Sequence, residues 1–432
     1  MNTLHKFNKY LILILFGIIL ALLPACKKDD VQPDDLQPDD PKILARNEFY
    51  ELMKEWYFWY DKMPPDVDVE DYDTPEELLE ALRYLPYDRF SYIASKTEFE
   101  NVVQGKYIGH GFGYSFDSEG YPRVIFVFKD SPLYSEGVRR GWRILTVNGQ
   151  TIDQYNYKII FGASEIGVEN TIKFLTPFDS TITITSAKKE IQKNTVLHFD
   201  TLHVKGKIVA HLVFEGFREP SVNELADAFG FFKNVGANEM ILDLRYNAGG
   251  MISVTTLLGS LISGEDTDNK LFFKYLHNNK KTSYDEEVTF AKEPNSLNLQ
   301  SLIVITSRRT YSASEIIING LKPYLNVVAI GDATGGKPVG MYVWYSDYAD
   351  YAFVPISFKI INANGEGDYF NGILPDAYCE DDITRQFKDR EEICLKEAIY
   401  YLTMGSFSGR KGKFVSQPLK ERLTLEDEIG AI

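Results

Sequence analysis

The chain has 432 residues, 44% of them hydrophobic and 25% charged, a balance that excludes a wholly disordered protein and leaves room for two or three domains. Its formal net charge of −16 argues against nucleic acid or anionic lipid as a partner.

Lys6 and Lys9 precede an apolar run over residues 10–23, too short for a membrane-spanning helix and shaped like a secretory signal over residues 1–25. Its removal takes away both lysines and no acid, so the mature chain is more acidic still. Leu23-Pro-Ala-Cys26 resembles a bacterial lipobox, which implies a lipidated Cys26 as the new N-terminus; a plain signal with a chance cysteine is the alternative. Cys26-Lys-Lys-Asp-Asp30 resembles the export signal of some Gram-negative surface lipoproteins. The expected location is the bacterial cell envelope, as an outer-membrane lipoprotein on its periplasmic or cell-surface side. Residues 26–42, rich in Asp, Pro and Gln, read as a solvated acidic tether.

Residues 43–106 are expected to be helical. Residues 47–60 carry apolar side chains at helical spacing and stop before Pro64-Pro65, and Thr74-Pro75 opens a second helix reaching to about Tyr84. The aromatic run Trp56-Tyr-Phe-Trp-Tyr60 reads as core packing in preference to a peptide platform. Residues 107–190 alternate short apolar strands with glycine turns, and Gly109-His-Gly-Phe-Gly-Tyr114 is a glycine-containing loop ahead of a strand. This stretch resembles a PDZ domain. The resemblance implies capture of a terminal carboxylate by backbone N–H groups at Gly111, Phe112, Gly113 and Tyr114, with the ligand added as an extra strand; a small β domain without a ligand is the alternative.

Residues 191–404 read as a layered α/β core. Strands are predicted at 207–214, 240–244, 302–306 and 326–330, helices at 222–233, from Ile252, from Ser312 through Leu321 and at 391–402. Residues 269–300 are more polar and read as a loop or hairpin over the site. Residues 405–432 read as a tail. Cys379 and Cys394 can form a disulfide in an oxidising compartment, and their spacing suggests no metal site. The histidines have no carboxylate companion at motif spacing and read as ordinary strand or loop residues. No metal and no cofactor are expected.

The chemistry centres on Thr310-Tyr-Ser-Ala-Ser-Glu315 and Gly335-Gly-Lys337. Ser312 falls where a strand hands over to a helix, and Ser312 with Glu315 has capping-box spacing, so an N-cap is the plain reading. The sharper one notes that Lys337 follows 25 residues later on a glycine turn. A serine hydroxyl is a poor nucleophile until a base takes its proton, and a lysine serves only if burial lowers its pKa from roughly 10.4 towards neutrality.

Together with Asp243-Leu-Arg-Tyr-Asn-Ala-Gly-Gly250, these motifs resemble the carboxyl-terminal processing peptidases, also called tail-specific proteases, over most of the chain after Ile43. The resemblance implies a multidomain α/β protein: a helical N-terminal segment, a PDZ domain and a ClpP/crotonase-like peptidase core. It further implies a Ser312 nucleophile, a Lys337 general base and an oxyanion hole from the Gly249 and Ala313 amides. Asp88-Arg-Phe-Ser91 resembles the Ser/Lys members of the family rather than those with a histidine base. The expected partners are C-terminal tails of proteins or peptides, and the membrane through the lipid on Cys26. One departure stands out: relatives commonly carry Gln four residues after the lysine, where this chain has Met341. That favours the alternative, a catalytically inactive peptide-binding scaffold lipoprotein.

Overall fold

The computed structural model describes residues 40–85, 87–153, 155–409, 416–423 and 431–432. The expected signal, Cys26 and almost all of the expected tether lie outside the described residues, and no helix among the described residues is long and apolar enough to cross a membrane.

A six-stranded sheet forms the centre. Its strands lie in the order Ala377–Tyr378, Asn326–Gly331, Ser301–Thr306, Glu239–Asp243, Lys207–Phe214 and Val196–Val204. All neighbours are parallel except the last pair, which is an antiparallel hairpin. Parallel strands are buried on both faces, which explains why these segments are almost continuously apolar rather than alternating. The helices Ser221–Asn234, Ile252–Ser263 and Ala313–Leu321 cover one face, meeting Ala210, Leu212, Met240, Leu242, Leu302 and Val304. Ile393–Met404 covers the other through Cys394, Leu395 and Ala398.

Residues 269–300 do form a hairpin, Leu271–His277 with Glu286–Thr289. It is more than a cover, since it continues through Ile356–Asn362 to Val339–Met341 as a four-stranded antiparallel sheet. The first helix runs Pro41–Trp56, earlier at both ends than expected, because Pro41 sits in its first turn and Tyr57 turns out of the helix into the core. The helical segment is not a separate body. Phe49, Met53, Tyr57, Leu78, Leu79, Leu82 and Phe90 share one apolar cluster with Val339, Phe353 and Ile356 of the core; of the aromatic run, Tyr57 is buried in it and Phe58, Trp59 and Tyr60 pack half-buried against it.

The segment resembling a PDZ domain contains a five-stranded sheet, Phe112–Phe116, Pro122–Val127, Arg143–Val147, Glu169–Leu175 and Thr181–Ala187, with Phe112–Phe116 at an open edge. Arg140 ties it to the core: its guanidinium donates to Asp381 at 2.7 Å, and Asp381 also accepts from Arg245 at 2.7 Å. Arg245, 2% exposed, further pairs with Asp243 at 2.8 Å and Glu392 at 2.8 Å. Removing one partner from a buried ion network leaves the others uncompensated. Glu392→Ala is therefore expected to destabilise the protein by roughly 3–5 kcal/mol, read as a lower urea midpoint; an unchanged midpoint would mean that water replaces the carboxylate.

Residues 405–432 are only partly a tail. Ser416 and Gln417 bond Asp332, Arg89 donates to the Lys420 carbonyl, and the Leu423 N–H donates back to the Arg89 carbonyl. A polar composition signals exposure but not whether a strand of chain finds backbone partners. Cys379 and Cys394 are free thiols, with the Cys394 thiol pushed up by its contact with Cys379 and by burial.

Candidate active site

The three motif segments leave the carboxyl ends of three adjacent parallel strands, Glu239–Asp243, Ser301–Thr306 and Asn326–Gly331. In an open α/β sheet the crevice beyond the strand C-termini is where ligands bind, because turns from neighbouring strands converge there. The turns are stitched together by backbone bonds. Tyr311 N–H donates to the Asn247 carbonyl at 3.1 Å, and Gly335 N–H to the Thr310 carbonyl at 2.8 Å.

Ser312 lies at the start of the helix Ala313–Leu321 with φ 53° and ψ −115°, a region that side-chain-bearing residues avoid and that costs of order 1–3 kcal/mol. Such strain persists where surrounding bonds over-determine it. Glu315 supplies them: one of its oxygens, Oε2, accepts the Ser312 N–H at 2.9 Å and the Lys337 N–H at 2.7 Å. Its Oε1 accepts the Gly336 N–H at 2.8 Å and the Thr334 hydroxyl. The capping residue thus spans both motifs and sets the backbones of Ser312 and Lys337 side by side. Glu315 is fully buried, and burial pushes its carboxyl up to about 7 against the opposing pull of the Thr334, Lys337, Gly336 and Ser312 donors.

Lys337 is 7% exposed, with its Nζ 5.6 Å from the centre of the Phe90 ring. Phe90 belongs to Asp88-Arg-Phe-Ser91, whose part is now visible. Asp88 is fully buried and accepts from Phe90 N–H, Ser91 N–H, Ser91 Oγ and Tyr57 Oη at 2.6–3.0 Å. Arg89 then reaches the carbonyls of Gly335 and Gly336, each at 3.3 Å, and of Phe370 at 3.1 Å. The N-terminal segment therefore buttresses the turn that carries Lys337. Met341 ends the strand Val339–Met341 and packs on the apolar cluster that contains Phe90.

The Gly249 amide departs from expectation. Its N–H donates to the Asn247 Oδ1 at 2.9 Å, since an Asn side chain readily captures the N–H two residues on. Gly249 matters instead through its missing side chain. With φ 95°, a Cβ there would stand 2.9 Å from Ser312 Cβ and 3.0 Å from the Ala313 nitrogen. Ala313 N–H, at the helix N-terminus, remains the expected oxyanion donor beside Ser312. Neither the Glu315 bridge nor the Arg89 buttress was drawn from the sequence; the capping-box spacing was the one signal for the first.

At residues 107–114 the structure places a chain residue in the expected loop. The Ile432 carbonyl oxygen accepts N–H bonds from His110 at 2.9 Å, Gly111 at 2.8 Å and Phe112 at 3.3 Å, and the Ile432 N–H donates to the Phe112 carbonyl at 2.8 Å. The donors are shifted towards the N-terminus of the expected set: His110 joins them, while Gly113 and Tyr114 pair with Phe126 and Val124 within the sheet. The Ile432 side chain packs on the cluster of Phe112, Leu133 and Phe161.

Two independent matches decide the family. Residues 208–379 match the profile described as Peptidase family S41, and residues 46–92 match the Peptidase S41 N-terminal domain. The chain belongs to peptidase family S41. It is thereby a serine-type peptidase, similar to carboxy-terminal processing protease CtpA of Bacillus subtilis (strain 168), with 24% identity over 344 residues, 79% of this chain and 70% of CtpA. CtpB of the same organism is 22% identical over 295 residues, 67% of this chain and 59% of CtpB. Among solved structures, a protein of Bacteroides fragilis NCTC 9343 assigned to the S41 proteases superposes with a TM-score of 0.69 at 23% identity, over 82% of this chain and 96% of that one. The photosystem II D1 C-terminal processing protease gives 0.50 at 18% identity, over 78% and 93%. These two likenesses concern the fold.

Four histidines of this S41 peptidase have side-chain neighbours that sequence spacing concealed. His277 Nδ1 lies 3.1 Å from Asp285 Oδ1 across the turn of its hairpin, and Asp200 stands between His198 and His211. His110 is buried against Asn170 and Ser186, and burial pushes it down to about 4.

Proposed function

We propose that this S41 peptidase is an endopeptidase acting near apolar C-terminal tails through a Ser312/Lys337 dyad. The observation that carries the reading is the shared Glu315 oxygen, which joins the backbones of Ser312 and Lys337 beside the Ala313 amide. Lys337 takes the Ser312 proton as Oγ attacks the scissile carbonyl, the Ala313 N–H meets the developing oxyanion, and the lysine returns the proton to the leaving amine. Water then releases the acyl group with Lys337 again as base. A fluorogenic library of tail peptides, assayed on the mature domain, tests this. Absence of Ser312-dependent cleavage across the library would favour the scaffold, towards which Met341 and the engaged Gly249 amide point.

The glycine loop would read the tail. Support comes from Ile432, which presents an apolar side chain and an oxygen held by three N–H groups on the open sheet edge, the arrangement of strand addition. Amidating a substrate tail removes the charge of the acceptor and is expected to weaken binding by about 1.5–3 kcal/mol, measured by titration calorimetry. Ile432→Asp, which unseats the resident residue, is expected to tighten binding of the same peptide. Equal affinity for acid and amide would sink the carboxylate reading.

The envelope location rests on Leu23-Pro-Ala-Cys26 and is part of the proposal, as is lipid attachment. Cys26→Ala is expected to move the protein from the membrane fraction to the soluble one without unfolding it; unchanged fractionation would refute the anchor.

A further inference from the structure

Outside the active site, one cluster has ligand chemistry that the peptidase reaction does not use. His198 and Asp200 on the edge strand Val196–Val204 and His211 on its neighbour Lys207–Phe214 project from the same face of the central sheet, Asp200 directly opposite His211. His198 Nε2 stands 3.2 Å from Asp200 Oδ2, and His211 Nδ1 stands 3.3 Å from Asp200 Oδ1. One ligand atom from each of the three residues lies within 4.8 Å of the others.

These separations are short enough for hydrogen bonds, yet among the described residues His198 Nε2, Asp200 Oδ1 and His211 Nδ1 are all buried atoms without a hydrogen-bond partner. Leaving a buried polar atom unsatisfied is costly, and here three such atoms belong to one cluster of neighbouring side chains. His211 is 1% exposed, so solvent does not relieve it. Each histidine nitrogen is thus within ion-pair reach of Asp200 without an aligned hydrogen bond to it. The spacing suits an ion. Around a tetrahedral centre with bonds of roughly 2.0–2.1 Å, neighbouring ligand atoms stand about 3.3 Å apart.

We propose that His198 Nε2, His211 Nδ1 and the Asp200 carboxylate form a binding site for a borderline divalent transition-metal ion, zinc being the best match. Two imidazoles and one carboxylate favour zinc over calcium or magnesium, which prefer all-oxygen shells. The partial exposure of His198 and Asp200, 24% and 32% of their side chains, gives an ion entry from solvent and leaves a fourth position for water. The site would clamp the edge strand to the sheet. That strand follows directly on the segment Lys189–Gln192, which pairs with Lys106–Gly109 next to the glycine loop, so the clamp would also fix where the tail-reading domain joins the core. His198 is paired with Val213, itself paired with Asp243, so the site lies two strands from the Asp243–Arg245 ion network.

The test uses the whole mature protein stripped with chelator and dialysed against zinc. We expect one zinc per chain by elemental analysis, a rise in melting temperature on adding zinc, and visible d–d absorption on cobalt substitution. His198→Ala, at the half-open edge, should fold yet lose all three responses, and Asp200→Asn should bind at least tenfold more weakly. Because His211 is buried and its loss can unfold the strand, the test relies on the other two variants. A protein that retains no stoichiometric zinc, or one whose zinc response survives unchanged in His198→Ala, would overturn the site and leave only a His–Asp–His ion pair. Peptide cleavage is not the readout, so the outcome is independent of the Ser312/Lys337 proposal.

Discussion

Ser312→Ala and Lys337→Ala are each expected to lower tail-peptide cleavage by at least about three orders of magnitude, with fold and peptide binding retained. Members of a unit that attacks and transfers a proton together are not additive, so the double variant should be no slower than either single one. Lys337→Arg should fail as completely, because a guanidinium stays charged and has no acceptor lone pair for the serine proton. Activity of the wild type should rise with pH, since the base must be neutral before attack. His110, His198, His203, His211 and His277 should each be dispensable for a Ser312-dependent activity. Near-wild-type cleavage by Lys337→Ala would refute the dyad. Met341→Gln offers a finer reading: Met341 packs on the cluster that contains Phe90, whose ring centre lies 5.6 Å from Lys337 Nζ, so if an orienting amide limits the rate, the substitution should raise turnover.

Glu315→Gln should be the next most damaging change, although Glu315 takes no part in the chemistry. One of its oxygens holds both Ser312 and Lys337, the other Gly336 and Thr334. An amide substitutes a donor for one of those acceptors, so one pair of N–H or O–H groups is left facing another donor. Small displacements of a nucleophile from its base cost on the order of a hundredfold in rate, and the loss should fall on kcat rather than KM. Protonation has a related effect. With its carboxyl pushed up to about 7, Glu315 holds a proton in weakly acidic solution and loses an acceptor, so wild-type turnover should gain a limb rising through about pH 7 that Glu315→Gln lacks.

Stability should move with pH in the opposite direction. A carboxyl whose folded pKa lies above its unfolded value near 4.5 contributes stability that is complete below pH 4.5 and lost as pH rises through about 7. That contribution is roughly 3 kcal/mol, and Glu315→Gln should flatten the stability-versus-pH curve between pH 4.5 and 7. An identical curve for the variant would mean that Glu315 does not titrate there, and an unchanged kcat that the bridge does not position the dyad.

The sequence alone determined the elements and the chemistry they carry. Apolar runs such as Leu302-Ile-Val-Ile and Asn326-Val-Val-Ala-Ile are signals of doubly buried strands, and Gly, Pro and Ser-x-x-Glu punctuation set the turns, because both are local properties of a few adjacent residues. Hence Ser312, Lys337 and the Asn247–Gly250 turn were legible as candidates. What tertiary structure decided was who meets whom across the fold. Arg89 reaches the Gly335 and Gly336 carbonyls from more than 240 residues away, and Asn247 takes the Gly249 amide that the motif suggested was free. Ile432 sits in a loop at residues 110–112, and Asp200 meets two histidines only because a hairpin register brings it opposite His211. Side-chain spacing along a strand gives the face on which a residue lies; its partner depends on register and on which turns converge, and those are set by the packing of the whole core.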